Sequence, residues 1–322
     1  MKHIYRLYPA LTAAALLLCS CGQSPNAAYH YEPEQMDKMV AEISDNRQHA
    51  PAFASDLCVI MGDEPTPDTL VTAESACVFS LEDGKVILQK NPYERMHPAS
   101  ITKVMTALIA VRDGDFLEPV TVGEETVITE PGASLCHIKP GDTLTLEQLL
   151  YGLMLPSGND AGAAIAVHMA GSIEAFAEKM NETARQLGAV DTHFTNPHGL
   201  TDESHYTTAY DLYLIFQEAM KYPEFQKIAG TVSYTASYKD AAGMDKVQKW
   251  SNSNRFLTGD ATAPDGVTVL GGKTGTTKAA GSCLIIDCED QVQNKYVAVI
   301  LKAENRGTLY DNMTNIIQKI VN

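Results

Sequence analysis

Apolar and polar residues alternate near the start of the chain in the manner of a strand hairpin. Two apolar runs, 76–79 and 86–88, flank a polar run at 82–85 (Glu-Asp-Gly-Lys). An Asp-Gly pair between two apolar runs is typical of a tight turn, because these residues tolerate the positive φ angles that the turn requires. We therefore expect two antiparallel strands joined near Gly84.

The segments that follow have the spacing of helices. Val104, Ala107, Leu108 and Val111 recur every three or four residues, which predicts a helix that Gly114 can end. The segment 159–169 is almost entirely apolar, so it predicts a buried helix. Further helical patterns run over 146–155, 173–187, 211–220 and 308–321.

Strand patterns return late in the chain, at 283–286 and 296–301. Strands from both ends of the chain must then share one sheet, with the helical middle beside it. The pattern predicts an α+β fold, in which an antiparallel sheet from both chain ends is flanked by helices and accompanied by a mostly helical subdomain. We expect residues 57–322 to form this one domain.

The composition excludes one class of partner. The chain has 322 residues, 45% of them hydrophobic, and a formal net charge of −16. This length is ample for a buried core. Binding of nucleic acid requires a concentrated positive patch, and the sequence has no long run of Lys or Arg. We therefore expect no nucleic-acid partner.

The first twenty residues are typical of a secretion signal. Lys2 and Arg6 precede a short apolar run at 11–18, which is too short to span a membrane. The sequence Leu-Cys-Ser-Cys at 18–21 resembles a bacterial lipoprotein box, so we expect lipidation of Cys21 and a polar tether over 21–56. The alternative is ordinary cleavage near residue 20, which leaves Cys21 as a thiol. A lipidated protein would lie on the outer face of the cell membrane.

Five cysteines remain in the expected domain, an odd number that leaves at least one unpaired within a monomer. Their spacing matches no zinc site. We expect buried thiols that act as small hydrophobic side chains. The two that are five positions apart in a strand should point to opposite faces. The five are Cys58, Cys77, Cys136, Cys283 and Cys288.

The first motif with catalytic chemistry is Ser-Ile-Thr-Lys at 100–103. Residues three apart share a helix face, so the Lys103 amine can reach the Ser100 hydroxyl. Serine is a weak nucleophile until a base removes its proton, and a neutral buried lysine can be that base. Free N–H groups at a helix start can stabilise an oxyanion. Taken alone, Ser-x-x-Lys is a weak signal.

The second motif is Ser157-Gly158-Asn159, which lies in a turn between two predicted helices. A hydroxyl and an amide there can relay a proton and bind a peptide, although the same residues also favour a helix N-cap. The similar triplet at 44–46 (Ser-Asp-Asn) lies in the polar tether, and we interpret it as solvated linker.

The third motif is Lys273-Thr274-Gly275, preceded by two glycines. A small residue in a strand lets a substrate backbone approach closely. The Lys and Thr side chains can hold a carboxylate, and the charge of Lys273 would help to keep Lys103 neutral. The alternative is a glycine-rich turn with one exposed lysine.

Together and in this order, the motifs resemble the serine D-alanyl-D-alanine carboxypeptidases, the low-molecular-weight penicillin-binding proteins. The resemblance extends from about residue 57 to the end of the chain. It is carried by 98–107 (PASITKVMTA), 155–161 (LPSGNDA), 196–200 (NPHGL), 205–209 (HYTTA), 272–277 (GKTGTT) and 280–281 (AG).

The resemblance implies the fold of that family and a role for each matching residue. Ser100 would attack the carbonyl between two terminal D-Ala residues, with Lys103 as base and Ser157 as proton relay. His198 would order a loop. Substrate would be bound by Asn159, Lys273, Thr274 and Thr276, with Arg306 near its carboxylate; the backbone N–H groups of Ser100 and Thr276 would form the oxyanion hole.

The resemblance also implies partners and limits. The substrates would be peptidoglycan stem peptides, β-lactams would be inhibitors, and no metal or organic cofactor is implied. Many members add a C-terminal β-rich domain and an anchoring helix; this chain stops at Asn322, so we expect a lipid at Cys21 to supply the anchor. No Glu-x-x-Leu-Asn segment follows the second motif, which disfavours β-lactam hydrolysis. The alternatives are a β-lactamase or esterase of the same fold and a non-catalytic penicillin-sensing lipoprotein.

Overall fold

The computed structural model describes residues 57–60 and 68–321. The predicted signal, the lipidation site Cys21, the tether and its Ser-Asp-Asn triplet lie outside the described residues. Within the described residues, no helix is both long and apolar enough to cross a membrane.

The main sheet has five antiparallel strands in the order β2-β1-β9-β8-β7. Strands from the two ends of the chain are therefore neighbours, which confirms the predicted α+β fold. The predicted hairpin is also confirmed, since residue 78 pairs with residue 88. The strands are β1 (Ser75–Ser80), β2 (Val86–Lys90), β7 (Thr268–Thr277), β8 (Gly281–Glu289) and β9 (Lys295–Ala303).

A second antiparallel sheet, in the order β3-β4-β5-β6, was not predicted. Two of its strands have only three residues, and the other two are largely exposed. The three-residue strands are too short to show an apolar period, whereas β5 was missed although Tyr234, Ala236 and Tyr238 alternate with exposed polar residues. The strands are β3 (Pro119–Thr121), β4 (Thr143–Thr145), β5 (Ser233–Lys239) and β6 (Asp245–Ser251).

Along the chain, most of the helices come between strands β2 and β7 of the main sheet, as the apolar spacing predicts. The helix at 223–230 was missed, and the last one ends earlier than predicted and continues as a 3-10 turn. The helices are α1 (Lys103–Asp113), α2 (Leu146–Met154), α3 (Asn159–Ala170), α4 (Ile173–Gln186), α5 (Ala209–Ala219), α6 (Pro223–Gly230), α7 (Arg255–Thr258) and α8 (Arg306–Ile317).

Both faces of the main sheet are covered, which explains why β8 and β9 are almost fully buried. Helix α8 packs on one face, and the helical body packs on the other. Cys283 faces the helical body and Cys288 faces α8, as their spacing predicts. All five domain cysteines are buried and no disulfide joins them to one another, which confirms the prediction of buried thiols.

Candidate active site

The Ser100 side chain lies on a 3-10 turn, Ala99–Thr102, that runs directly into α1. Ala99 has φ of +48°, a left-handed conformation that is strained for a residue with a Cβ. The turn packs against Gly275 of β7, where a Cβ would come within 3.0 Å of the Ser100 nitrogen. Glycine is therefore required at 275, because the edge strand must approach the turn backbone closely.

Lys103 is fully buried beneath Ser100 and is held by three hydrogen-bonding partners. Its Nζ lies 2.9 Å from Ser100 Oγ, 2.6 Å from Asn159 Oδ1 and 2.7 Å from the carbonyl oxygen of His198. Burial, and then the nearby charge of Lys273, lower the pKa of Lys103 well below its usual value. A neutral amine has two hydrogens and one lone pair. When the two carbonyl-type oxygens accept the hydrogens, the lone pair points at the Ser100 hydroxyl.

Ser157 and Lys273 form a second pair beside the first. Lys273 Nζ donates to Ser157 Oγ at 2.9 Å and to the carbonyl oxygen of Thr274 at 2.8 Å. Burial lowers the pKa of Lys273 to about 7. Ser157 has φ of +63° in the turn before α3. The N-cap residue of α3 is Gly158 and no side chain caps the helix, so Ser157 does not take the N-cap role that the sequence also favoured.

Asp160, in the first turn of α3, binds the neighbouring segment 134–138. This role was not predicted. The Asp160 carboxylate accepts from the backbone nitrogens of Cys136 at 2.9 Å and Ile138 at 3.3 Å. The Asn159 nitrogen donates to the carbonyl oxygen of Ser134 at 2.8 Å. These bonds hold the segment 134–138 against α3. An acidic residue in the first turn of a helix is so common that the sequence gives no signal for this role.

A loop over 195–207 encloses the nucleophile turn on its other side. The His198 carbonyl oxygen of this loop accepts a hydrogen bond from Lys103. The Pro197 carbonyl oxygen accepts one from Thr106 at 2.6 Å. His205 and Thr102 share a third hydrogen bond of 2.8 Å. Burial lowers the pKa of His198 to about 3, so its ring is neutral and suits the loop-ordering role that the resemblance implies. His205 lies within one of the stretches that resemble the family, but its role in this loop was not predicted.

A cleft of about 410 Å³ opens over Ser100. Asn159 and Thr276 line it, and Thr274, on the same strand, shares a 2.6 Å hydroxyl–hydroxyl hydrogen bond with Ser253. Seven of the candidate residues are thus brought together around one cleft: Ser100, Lys103, Ser157, Asn159, Lys273, Thr274 and Thr276.

Arg306 stands apart from this group. It is exposed at the first residue of α8, and among the described residues no hydrogen bond or ion pair joins it to any of the seven. In the described part of the chain, no group of three or more His, Cys, Asp or Glu side chains is arranged to hold a metal ion.

Comparisons with known proteins agree with this geometry. The family model described as D-alanyl-D-alanine carboxypeptidase matches residues 62–305. The chain is 37% identical over 217 residues to the D-alanyl-D-alanine carboxypeptidase DacF of Bacillus subtilis, covering 66% of this chain and 53% of that protein. It is 34% identical over 224 residues to DacA of Escherichia coli, covering 67% and 52%. The chain thus spans about half the length of these curated relatives.

Among solved structures, a Streptomyces DD-transpeptidase superposes with a TM-score of 0.72 at 28% identity. The match covers 80% of this chain and 98% of that one. The described domain therefore corresponds to nearly all of that enzyme.

Proposed function

Because the chain belongs to the D-alanyl-D-alanine carboxypeptidase family, we propose that it removes the terminal D-Ala from peptidoglycan stem peptides through an acyl-enzyme on Ser100. The observation that carries the proposal is the 2.9 Å contact between Ser100 Oγ and the buried amine of Lys103. Lys103 has a lowered pKa and two fixed acceptors, which is the arrangement that a general base for serine requires.

The proposed acylation follows from these contacts. Lys103 takes the Ser100 proton while Ser100 Oγ attacks the carbonyl carbon between the two D-Ala residues. The N–H groups of Ser100 and Thr276 stabilise the oxyanion. The C–N bond then breaks, and the leaving amine receives a proton by way of Ser157, which lies 2.9 Å from Lys273 Nζ. Lys273 and the Thr274 hydroxyl hold the terminal carboxylate.

Water completes the proposed cycle. It attacks the ester carbonyl, its proton passes to Lys103, and Ser100 Oγ leaves with a proton restored. A β-lactam would acylate Ser100 by the same first step, with the ring amide in place of the peptide bond. β-Lactams are therefore expected as inhibitors that remain attached.

The test is D-Ala release from diacetyl-L-Lys-D-Ala-D-Ala by the chain from Gly22 onward, beside the Ser100→Ala variant. Release by the wild type alone supports both the reaction and the nucleophile. Release by the variant at the wild-type rate would refute the mechanism. Retention of a penicilloyl mass on Ser100 would separate this activity from that of a β-lactamase, which clears the adduct.

The fold similarity to a DD-transpeptidase favours one second activity. In transpeptidation, an amine replaces water as the acceptor of the acyl group on Ser100. Adding glycine as acceptor and measuring the ratio of new peptide bond to free acid would test this directly. A ratio of zero at high glycine concentration would exclude it.

We also propose that the protein is secreted and held to the outer face of the membrane by a lipid on Cys21. The support is the sequence at 18–21 behind a basic start and a short apolar run. Two acyl chains provide stable anchoring. The mass of the mature N-terminal peptide tests the proposal, with Cys21→Ala as the comparison. An unmodified Cys21, or membrane retention of the Cys21→Ala protein, would count against it.

A further inference from the structure

Strand β6 is the last strand of the second sheet, whose order is β3-β4-β5-β6. It pairs with β5 along its whole length, from Ser251 opposite Ser233 to Asp245 opposite Lys239, without a shift of register. Among the described residues, no other strand pairs with it. Its outer side, which we call the open edge, can therefore accept a further strand.

The backbone hydrogen bonds at the two ends of β6 show which residues face the open edge. The Asn252 nitrogen donates to the carbonyl oxygen of Val232 at 2.8 Å. The Met244 carbonyl oxygen accepts from the Asp240 nitrogen at 2.9 Å. Even-numbered positions thus point toward β5. Successive residues of an antiparallel strand point their backbone groups in opposite directions, so the odd-numbered positions from 245 to 251 direct theirs to the open edge.

Three of these odd-numbered residues carry exposed side chains of complementary character. Val247 is 64% exposed and lies between Asp245 and Lys249 on the same face of the strand. Asp245 forms an ion pair of 2.7 Å with Lys239 of β5. Within the described part of the chain, Lys249 takes part in no ion pair. A lysine on an edge strand opposes pairing unless the incoming strand offers a matching charge.

The same strand of a second copy offers that charge. When two β6 strands pair antiparallel about Val247, Asp245 of each copy lies opposite Lys249 of the other, so twofold symmetry forms this contact twice. Both partners are odd-numbered, so their backbone groups face each other as the hydrogen bonds require. Registers centred on Asp245 or on Lys249 would instead place like charges opposite each other.

We propose that the open edge of β6 binds the open edge of a second copy of this chain, in the antiparallel register centred on Val247. The two second sheets then join into one continuous sheet across a twofold axis. Two contacts between Asp245 and Lys249 select the register, and the exposed Val247 side chains pack against each other on the axis.

The first experiment is sedimentation velocity of the chain from Gly22 onward, over protein concentrations that reach the millimolar range. We expect a reversible equilibrium between monomer and dimer. Val247→Pro removes an N–H group that faces the open edge and no hydrogen bond to β5, so it should remain folded by near-ultraviolet circular dichroism and stay monomeric. A wild type that is monomeric at every concentration would overturn the proposal in favour of a different partner strand. A folded Val247→Pro protein that dimerises as the wild type does would place the dimer contact elsewhere.

The second experiment reverses the charges. Asp245→Lys and Lys249→Glu each place like charges opposite each other at both contacts, so each should weaken the dimer about tenfold or more. A mixture of the two variants restores opposite charges at both contacts of the mixed dimer and should recover association. Asp311→Lys and Lys85→Glu make the same changes at exposed positions outside the second sheet and should dimerise as the wild type does. A mixture that associates no better than its components would overturn the register and with it the proposal.

Discussion

The Nε2 atom of His205 lies 2.8 Å from the Thr102 hydroxyl, although 103 positions separate the two residues in the chain. His205 Nδ1 accepts from the Thr195 nitrogen at 3.1 Å, so in the neutral ring Nε2 carries the hydrogen and donates to Thr102. Burial lowers the pKa of His205 to about 3, which keeps the ring neutral at ordinary pH. The hydrogen bond therefore ties the loop over 195–207 to the turn that carries Ser100.

We expect His205→Ala to lower the rate of penicillin acylation about tenfold, because loss of a buried hydrogen bond costs about 1–2 kcal/mol and loosens the turn. His205→Gln offers an amide donor near the position of Nε2 and should recover most of the rate. The measurement is the acylation rate constant, with the fraction folded monitored by near-ultraviolet circular dichroism. If both folded variants acylate at the wild-type rate, His205 does not position the nucleophile.

Gly275 gives a second prediction, because the nucleophile turn leaves no space for a side chain. A Cβ there would lie 2.9 Å from the Pro98 carbonyl oxygen and 3.0 Å from the Ser100 nitrogen. Both are backbone atoms, so the turn must shift. We expect Gly275→Ala to lower the acylation rate about a hundredfold, since small displacements of reacting groups have effects of that size. Gly307→Ala, at an exposed position on α8, should acylate normally.

The parts of the fold that sequence predicts are those with local signals. The Asp-Gly pair at 83–84 marks the first hairpin, and the apolar spacing of Val104 to Val111 marks α1. Most of the second sheet has no such signal; the exception is β5, where Tyr234, Ala236 and Tyr238 alternate with polar residues. Strands such as Pro119–Thr121 and Thr143–Thr145 are three residues long and pair across 22 to 26 positions, so only the tertiary structure defines them.

The candidate site also has residues that the sequence predicts and supporting groups that it does not. Three short motifs predict the candidates Ser100 with Lys103, Ser157 with Asn159, and Lys273, because each motif places chemically suitable side chains at a short spacing. The supporting groups carry no such spacing. The Asp160 carboxylate binds nitrogens more than 20 positions away, and the Lys103 amine binds a backbone carbonyl 95 positions away. Contacts of this kind depend on which loops the fold brings together.

The charge of Lys273 predicts a shift in the pH profile of acylation. Lys103 must be neutral to accept the Ser100 proton, so the rate rises with pH as Lys103 loses its own proton. Burial contributes most to its lowered pKa, and the Lys273 charge adds to it. Lys273→Met removes that charge, so the pKa of Lys103 rises and the rising limb should move to higher pH.

The measurement is the rate of benzylpenicillin acylation from pH 4 to 10. Lys249→Met, which removes an exposed charge on β6, serves as the control and should leave the limb in place. Lower rates are expected at every pH for Lys273→Met, because in the proposed mechanism Lys273 also binds the carboxylate. The position of the limb is therefore the decisive quantity, and an unshifted limb would show that burial alone sets the pKa of Lys103.

Asp287 should make the folded protein less stable as the pH rises. Its carboxyl is buried in β8, its Oδ1 has no hydrogen-bond partner in the described residues, and burial raises its pKa from 3.8 to about 6. Below pH 3.8 the carboxyl is protonated in both states. Between 3.8 and about 6 only the folded state keeps the proton, so the free energy of unfolding falls as pH rises, by about 3 kcal/mol in all.

Asp287→Asn removes this titration, so the variant should be more stable than the wild type at pH 7 and should show a flatter dependence of the free energy of unfolding on pH between pH 4 and 7. Urea unfolding at several pH values measures both quantities, with the exposed Asp311→Asn as control. A variant that keeps the wild-type slope would show that Asp287 is not the titrating group.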